Sequence, residues 1–219
     1  MSKLITINGV ELLEENDMVA RSFKENEMQF EPESFRVWEE ACVSGKMVID
    51  VGAYTGLYSI AAQSLGASVL AFEPNIKVYT RLLENIAHAT VESDLECTTI
   101  KAYNLALSDE VGTTGFYSKP MHLTSAGHID QNGHSLVYTR PLDCILGKVH
   151  IPVTAIKIDV EGHELKVLQG ASMVLQKDRP MVIVECLTED DEKKVVDFMQ
   201  SVGYNQYPQK ADDRNLIFT

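Results

Sequence analysis

The sequence predicts an α/β fold with an open, mostly parallel sheet and helices on both faces. First, an apolar strand, Met47–Val51, runs into a turn with two glycines that opens a helix. Second, strand-like and helix-like periods alternate from there on, which is typical of parallel strands joined by crossover helices. Third, acids stand where two of these strands end, at Glu73 and Asp159. Ligands of open α/β sheets bind at this carboxyl edge, so these acids also predict a site.

The N-terminal part of the chain lacks this alternation. We expect residues 1–46 to form a hairpin and helix extension that packs on a core of residues 47–219, the two making one domain overall. Leu4–Leu13 has the pattern of a short strand or hairpin, and an undefined polar segment follows it. A helix is expected from Ser34, a residue type that caps helix starts, to Gly45, which stops helices.

The core predicts strands and helices in alternation. The expected strands are Met47–Val51, Val69–Phe72, Cys97–Tyr103, Val153–Asp159, Met181–Glu185 and a closing pair of Tyr204–Tyr207 and Asn215–Phe218. The expected helices are Thr55–Leu65, Asn75–Ala87, Leu165–Leu175 with a break near Gly170, and one that begins at a Thr188 cap and ends at Gly203. The helices carry apolar residues at helical spacing, as packing against a sheet requires.

Between residues 111 and 140 the helical period disappears. Two strand-like pieces, Thr114–Ser118 and Leu136–Arg140, flank a polar segment rich in glycine, serine and histidine, which predicts a hairpin with a long tip. Loops of this length in compact domains are mostly functional or disordered. We expect residues 118–136 to be a lid that selects a substrate, with a disordered tip as the alternative.

The glycine turn and the acid of the next strand have the spacing of a nucleoside pocket. Gly52 and Gly56 permit a tight turn and a close approach of the backbone, and the N–H groups at the helix start can receive an anion. The carboxylate of Glu73 can accept from the two hydroxyls of a ribose. These residues predict an adenosyl ligand, and the alternative is a purely structural turn between strand and helix.

The spacing of the turn favours S-adenosylmethionine over a dinucleotide. A dinucleotide fingerprint has three glycines, and no third follows Gly52 and Gly56 in this turn. A carboxylate at Asp50 would repel a pyrophosphate but attract an amino group. S-adenosylmethionine carries such an ammonium, together with a carboxylate that suits a helix N-terminus.

A second cluster of chemically active residues, Asp159, Glu161, His163 and Glu164, follows the fourth predicted strand. It stands at the same sheet edge as the glycine turn. Two interpretations compete: a catalytic or metal-binding edge, or acids that complement the dipole of the next helix. Asp159, at the strand tip, is the stronger functional candidate. Glu164 fits the first helical turn, and His163 fits either a base or a surface residue.

Composition argues against several classes of function. The formal charge of −13 and the lack of a lysine- or arginine-rich run make a nucleic-acid partner unexpected. The four cysteines are widely spaced, and no histidine pair has metal spacing, so neither zinc nor a disulfide framework is expected. No secretory signal is visible, which favours the cytoplasm. The uncharged stretch Val51–Phe72 is divided by three glycines and several polar residues, so we expect no membrane span.

Several short motifs occur in a fixed order along the core. They are Asp50-Val51-Gly52-Ala53 with Gly56, Phe72-Glu73-Pro74, Asn85, Ala106-Leu107-Ser108-Asp109, Leu142-Asp143, Ile156-Lys157-Ile158-Asp159-Val160-Glu161-Gly162 with Glu164, Val167-Leu168, Gly170-Ala171 and Glu185. Over Met47 to Glu185 the set resembles the FkbM family of S-adenosylmethionine-dependent methyltransferases. The resemblance implies a Rossmann-like class I methyltransferase with a seven-stranded sheet whose last strand is antiparallel. It also implies O-methylation of a hydroxyl on a sugar, glycan or natural product.

The resemblance further implies which residues hold the cofactor. They are Asp50, Gly52, Ala53, Tyr54 and Gly56 around the methionine end, Glu73, followed by Pro74, at the ribose, and Asn104 with Ala106 at the adenine. One residue departs from the family pattern, because Tyr54 stands where the family usually has asparagine.

A hydroxyl acceptor must lose a proton, so a base or a metal should assist the transfer. The catalytic candidates are Asp159 and His163, with Glu161 orienting one of them or serving a divalent cation with Asp159. A metal is compatible with these residues but is not indicated by them.

The alternatives are a nucleic-acid or protein methyltransferase and a non-catalytic S-adenosylmethionine-binding module. An enzyme acting on an exocyclic amine should show an Asn/Asp-Pro-Pro-aromatic motif, and Asp159-Val160-Glu161-Gly162 differs from it.

Overall fold

The structure is a computed structural model that describes residues 3–15, 17–26, 30–92, 99–118, 127–147, 150–205, 210–212 and 214–219. Its strands are β1 (Leu4–Ile7), β2 (Val10–Leu13), β3 (Met47–Val51), β4 (Ser68–Phe72), β5 (Ile100–Tyr103), β6 (Ala106–Leu107), β7 (Gly112–Tyr117), β8 (His128–Ile129), β9 (Ser135–Arg140), β10 (Val153–Ile158), β11 (Met181–Glu185) and β12 (Asn215–Phe218). Its helices are α1 (Met18–Glu25), α2 (Pro32–Ala41), α3 (Leu57–Ser64), α4 (Ile76–Glu92), α5 (Leu142–Leu146), α6 (Glu164–Gln169), α7 (Ser172–Asp178) and α8 (Glu189–Ser201).

The main sheet has the strand order β12-β11-β10-β3-β4-β5. Strands β5, β4, β3, β10 and β11 are parallel, and β12 runs antiparallel to β11 at the edge. The predicted open, mostly parallel α/β sheet is therefore confirmed. The strand order reverses between β3 and β10, and this switch point is where open α/β sheets bind ligands.

The described residues give the main sheet six strands, one fewer than the predicted seven. The expected strand Tyr204–Tyr207 accounts for the difference, because Tyr204 is not in a strand and residues 206–209 lie outside the described part. Tyr204 is buried, and its hydroxyl donates to the carbonyl oxygens of Leu175 at 3.2 Å and Pro180 at 3.0 Å. The ring therefore belongs to the core beside α7 and α8, although tyrosine is a residue type that favours strands.

A second sheet, in the order β6-β9-β7-β8, takes its strands β7, β8 and β9 from the segment for which the sequence predicts a hairpin. Strands β7 and β9 pair antiparallel, which confirms the hairpin, and β8 pairs with the other side of β7. Ala106, Phe116 and Val137 form its small core. The predicted lid, residues 118–136, thus contributes a strand to this sheet, and its residues 119–126 lie outside the described part. A role in substrate selection stays a prediction.

Apolar side chains cover both faces of the main sheet. Along β3, Val48 belongs to one large core cluster and Ile49 to the other, as the alternation of side chains in a strand requires. Helices α2 and α3 contribute to the first cluster, and α6, α7 and α8 contribute to the second. Strands buried on both faces have near-continuous apolar sequences, which is why they could be predicted.

The N-terminal extension consists of β1, β2, α1 and α2. The predicted hairpin of β1 and β2 is confirmed. Helix α1 forms in the segment left undefined by the sequence, where the carboxylate of Asp17 accepts a first-turn N–H at 2.9 Å. Helix α2 begins at Pro32 rather than Ser34. Proline is tolerated in the first turn of a helix, because the backbone N–H that it lacks would have no helical partner there. It ends at Ala41 rather than at Gly45.

Two local predictions for helices are confirmed. The break near Gly170 separates α6 from α7, and a Cβ on Gly170 would lie 2.0 Å from the carbonyl oxygen of Ser108. Thr188 caps α8, and its hydroxyl oxygen accepts from the Asp191 N–H at 3.2 Å. Within the described ranges, no helix has both the length and the apolar character needed to cross a membrane.

Candidate active site

A cavity of about 420 Å³ lies at the carboxyl edge of the main sheet. The expected site residues that line it are Gly52, Tyr54, Glu73, Pro74, Ala106, Asp159, Glu161 and His163. Gly127 and Ile129 of the predicted lid also line it. A small cavity of about 40 Å³ shares part of this wall and contacts Asp50 and Ala53. Of the expected cofactor residues, Gly56 and Asn104 line neither of these two cavities.

The turn between β3 and α3 brings two strand ends into contact. Gly52 has a φ of +78°, and a Cβ there would lie 1.8 Å from the carbonyl oxygen of Asp159. Only glycine fits this conformation and this contact. Gly56 has a φ of +101° and precedes α3, and a Cβ there would lie 2.7 Å from the Leu82 side chain. The second glycine therefore shapes the turn from behind rather than lining the cavity.

Glu73 follows the end of β4 and is 7% exposed. Its Oε1 accepts from the Asn75 N–H at 2.8 Å, and its Oε2 accepts from the Tyr54 N–H at 3.1 Å. Burial raises the pKa of this carboxyl to about 8. Each carboxylate oxygen can accept more than one hydrogen bond, so both can still receive hydroxyl groups from the cavity.

Tyr54 has a left-handed backbone conformation, with a φ of +49°. Asparagine adopts this conformation more readily than other residues with a side chain, which is consistent with the asparagine that the resemblance implies at this position. The Tyr54 hydroxyl accepts from the Met18 N–H at 3.0 Å and so connects α1 to the turn. The extension therefore contributes to the wall of the cavity.

Asn104 supports the site from outside the cavity. Its side-chain amide donates to the carbonyl oxygens of Glu73 at 2.9 Å and Pro74 at 2.8 Å. These bonds fix the backbone that follows β4. The structure thus places Asn104 behind the cavity wall, whereas Ala106 and Pro74 line the cavity directly.

Three carboxyl groups meet at the ends of β10 and β11. One oxygen from each of Asp159, Glu161 and Glu185 lies within 4.8 Å of the other two. Burial, and then the charge of Asp159, raise the pKa of Glu161 and of Glu185. Sequence reasoning placed Glu185 in the family motif but not in the site, although an acid at the end of the strand next to β10 was the signal for it.

A lysine side chain also lies beside the carboxyl cluster. Nζ of Lys157 lies 3.6 Å from Oδ2 of Asp159. Carboxylate oxygens are the ligands that Mg²⁺ and Ca²⁺ prefer, so Asp159, Glu161 and Glu185 have the chemistry of a divalent cation site. Lys157 already supplies positive charge at the same place, as does Arg214 with its Nη1 4.0 Å from Oε1 of Glu185.

His163 lies just before α6 and lines the large cavity. Its Nε2 is 2.9 Å from the hydroxyl of Ser108, and that hydroxyl is 3.0 Å from Oδ1 of Asp109. Burial, and then the charge of Lys166, lower the pKa of His163. The imidazole is therefore neutral near pH 7, which is the form that can accept a proton.

Comparisons with known proteins identify relatives of this chain. The model of the Methyltransferase FkbM domain family matches residues 50–205. The hexuronic acid methyltransferase AglP of Haloferax volcanii is 30% identical over 170 residues, which are 77% of this chain and 67% of that protein.

Two solved structures show the same fold. A methyltransferase FkbM from Methylobacillus flagellatus has a TM-score of 0.59 at 21% identity, over 80% of this chain and 44% of that chain. This chain therefore spans less than half the length of that protein. The magnesium protoporphyrin IX methyltransferase of Synechocystis, solved with bound SAM, has a TM-score of 0.53 at 12% identity, over 92% of this chain and 82% of that chain.

The α/β fold of this chain is shared with these two methyltransferases, and its large cavity lies at the switch point of the sheet. The chain belongs to the FkbM methyltransferase family, whose model matches more than half of its length. The predicted family is thereby confirmed.

Proposed function

We propose that this chain transfers a methyl group from S-adenosylmethionine to a hydroxyl oxygen of a sugar, a glycan or a related small molecule. One observation carries the proposal: a single cavity has the carboxyl of Glu73 on its wall together with Asp159, Glu161 and Glu185. A ribose acceptor group and a cluster of proton-accepting groups therefore face the same space. Membership of a methyltransferase family supports the type of group that is transferred.

The residues of the cavity fit the proposed cofactor. The carboxyl of Glu73 has lone pairs left for two ribose hydroxyls, and Gly52 lines the cavity where its turn packs against the Asp159 backbone. A cavity of about 420 Å³ has the size of a small-molecule site. When bound, S-adenosylmethionine supplies a methyl group already activated by its sulfonium.

The protein has to hold an acceptor hydroxyl in line with the methyl group and accept its proton. Placement alone lowers barriers by up to ~7–11 kcal/mol in well-oriented reactions. We assign proton removal to Asp159, because it stands at the tip of β10 and lines the cavity. His163 is the second candidate for this role, and we assign to Glu161, whose carboxyl lies beside that of Asp159, the orientation of Asp159.

The relative named for hexuronic acid supports a sugar acceptor. Carboxylates accept hydrogen bonds from hydroxyl groups, and charge-assisted bonds of this kind are strong. The cluster of Asp159, Glu161 and Glu185 therefore suits an acceptor with several neighbouring hydroxyls.

The proposed function is tested by turnover. The protein is incubated with S-adenosylmethionine and a panel of neutral saccharides and glucuronides, with nucleosides that carry exocyclic amines as competitors. We expect a saccharide to gain the mass of one methyl group on oxygen while S-adenosylhomocysteine forms, and we expect Asp159→Asn to slow both at least about 100-fold. Methylation of nitrogen in the nucleosides, or failure to bind S-adenosylhomocysteine, would contradict the proposal.

A further inference from the structure

A short chain of hydrogen bonds runs from the wall of the large cavity to an exposed aspartate. His163 lines this cavity and precedes α6, whereas Ser108 and Asp109 follow β6 of the second sheet. Nε2 of His163 lies 2.9 Å from Oγ of Ser108, and this oxygen lies 3.0 Å from Oδ1 of Asp109. Ser108 is 4% exposed, so water has little access to its hydroxyl. One buried hydroxyl group therefore links the imidazole to a carboxylate.

The backbone holds both ends of the contact between Ser108 and His163. The Ser108 N–H donates to the carbonyl oxygen of Arg140 at 3.2 Å. The Ser108 carbonyl oxygen lies so close to Gly170 that a Cβ there would be 2.0 Å away. The carbonyl oxygen of His163 accepts from the Val167 N–H of α6 at 3.2 Å. The two side chains therefore meet because the elements that carry them are packed together.

The single proton of the Ser108 hydroxyl determines the direction of the chain. Burial would raise the pKa of Asp109, but the hydrogen bond from Ser108 and the charge of Lys166, whose Nζ is 3.5 Å away, hold it below its ordinary value. Asp109 is therefore ionised, and an ionised carboxylate can only accept. If the hydroxyl donated to His163 instead, two oxygens with only lone pairs would face each other at 3.0 Å. The Ser108 hydroxyl therefore donates to Asp109.

The proton of the neutral imidazole then belongs on Nε2. Because the Ser108 hydroxyl donates its proton to Asp109, its oxygen accepts from the Nε2–H of His163. The other ring nitrogen, Nδ1, keeps a lone pair. Within the described ranges, no hydrogen bond joins Nδ1 to another residue. The nitrogen of His163 that remains for a ligand is therefore Nδ1, and it can only accept.

We propose that Ser108 and Asp109 are positioning residues that keep the proton of His163 on Nε2, so that Nδ1 accepts a hydrogen bond from a hydroxyl group of the methyl acceptor. The inference rests on the proposed function. Because Nδ1 has no proton, its partner on the acceptor is a donor such as a hydroxyl, and not an ether or carbonyl oxygen. A site built to bond a hydroxyl discriminates strongly against analogues that lack it.

The position of the proton is measured by NMR of the histidine ring nitrogens in the ligand-free protein. The spectra are recorded at about pH 8, where the imidazole is neutral, and His163→Gln identifies the signals of this residue. The intact protein should show a protonated Nε2 and an unprotonated Nδ1. The Nε2 proton should exchange slowly with water, because it is bonded to the buried Ser108 oxygen.

Three variants test whether Ser108 and Asp109 determine this state. Ser108→Ala removes the acceptor and should lose the slow exchange of the Nε2 proton, whereas Ser108→Thr retains a hydroxyl and should keep it. Asp109→Ala frees the Ser108 hydroxyl to donate to Nε2, so both forms of the neutral imidazole should be populated. Asp109 is exposed, so this variant tests the chain even if changes at the buried Ser108 disturb folding.

Steady-state kinetics with a saccharide that the protein methylates test the role of Nδ1. In Ser108→Ala and Asp109→Ala the KM for the saccharide should rise about 3- to 10-fold, the value of one ordinary hydrogen bond, while the turnover number changes little. The Kd for S-adenosylhomocysteine should stay the same. Ser108→Thr should restore KM. The control Ser201→Ala, which removes an exposed hydroxyl from α8, should have the KM of the intact protein.

Each result decides one part of the proposal. A proton on Nδ1 instead of Nε2 in the intact protein would overturn it, and so would a slowly exchanging Nε2 proton that persists in Ser108→Ala. An unchanged KM in variants whose spectra do change would overturn the contact between Nδ1 and the acceptor. If the protein methylates no saccharide, the proposed function fails and the contact fails with it, whereas the spectra still decide where the proton is held.

Discussion

At the scale of single residues, Glu73 combines deep burial with a place on the wall of the cavity. Its position after β4 could be predicted, because an acid that ends the strand after a glycine turn is visible in the sequence. Its pKa of about 8 could not be predicted, since it depends on how completely the surrounding elements exclude water. This raised pKa gives the site a measurable dependence on pH.

Glu73→Gln should remove a pH dependence from cofactor binding. The ionised carboxyl is the better acceptor for ribose hydroxyls, so raising the pH from about 7 to about 9 should increase the affinity of the intact protein for S-adenosylhomocysteine about tenfold. Glu73→Gln should bind more weakly and with little dependence on pH. Titration calorimetry at several pH values measures both. The surface variant Glu84→Gln should retain the slope, and a slope that persists in Glu73→Gln would contradict the assignment.

The same carboxyl predicts how stability changes with pH. Its pKa in the folded, ligand-free protein is about 8, against an ordinary value of 4.5, so the folded state binds more protons than the unfolded chain between these values. The stability that this group contributes is complete below about pH 4.5 and is lost as the pH rises through about 8. Denaturant titrations should show a shallower fall in the free energy of unfolding for Glu73→Gln. Equal slopes in both proteins would show that Glu73 is solvated.

Asp159→Asn should depress turnover and leave cofactor binding within a few fold. General-base catalysis contributes ~10²–10⁴ to rates, so the turnover number should fall at least about 100-fold. The exposed control Asp190→Asn should turn over normally. Steady-state kinetics with the true acceptor, paired with calorimetry, provides the test. Normal turnover by both Asp159→Asn and His163→Ala would make this edge of the sheet structural.

The residues that sequence reasoning missed lie on different elements. Lys157 lies between apolar neighbours on a central strand. The sequence of this strand does not predict that acidic side chains surround its one lysine. Glu31 approaches it from the N-terminal extension, from a distant part of the sequence. No local sequence pattern predicts a contact between positions so far apart.

At the scale of elements, the turn between β3 and α3 is the part that the sequence determined most fully. Its glycines have positive φ angles, and the close approach to β10 leaves no room for a side chain at Gly52. Strand β3 was predicted with the bounds it has, because it is apolar and ends at this turn. Helix α1 was missed because it is only eight residues long and buries only Ala20 and Phe23.

Gly52→Ala and Gly45→Ala should differ strongly in their effect on stability. The two glycines have similar φ angles, +78° and +74°, but a Cβ at Gly45 would meet nothing within 4 Å. Gly45→Ala should therefore cost only the strain of a left-handed residue, about 1–2 kcal/mol. Gly52→Ala also forces the Asp159 backbone away and should cost more than about 3 kcal/mol. Equal losses in denaturant titrations would contradict the close packing of the turn against β10.

At the scale of the whole molecule, the charge of −13 limits the partners of this fold. The net charge follows directly from the composition. The predicted count of seven strands included one that begins at Tyr204, and neither composition nor periodicity could show that this residue is buried in the core outside a strand. An acidic surface repels phosphate backbones, so the protein should not bind labelled single-stranded or duplex RNA with a Kd tighter than about 10⁻⁴ M. Fluorescence anisotropy at low salt checks this. Saturable, salt-sensitive binding at micromolar concentrations would favour a nucleic-acid substrate instead.

In the proposed function, one cavity holds the cofactor against Glu73 and presents its methyl group to the carboxyl cluster. A crystal structure with S-adenosylhomocysteine tests this most directly. We expect both ribose hydroxyls within hydrogen-bond distance of the Glu73 carboxylate and the thioether sulfur directed towards Asp159. A ligand that binds elsewhere, or one whose ribose leaves Glu73 without a contact, would contradict it.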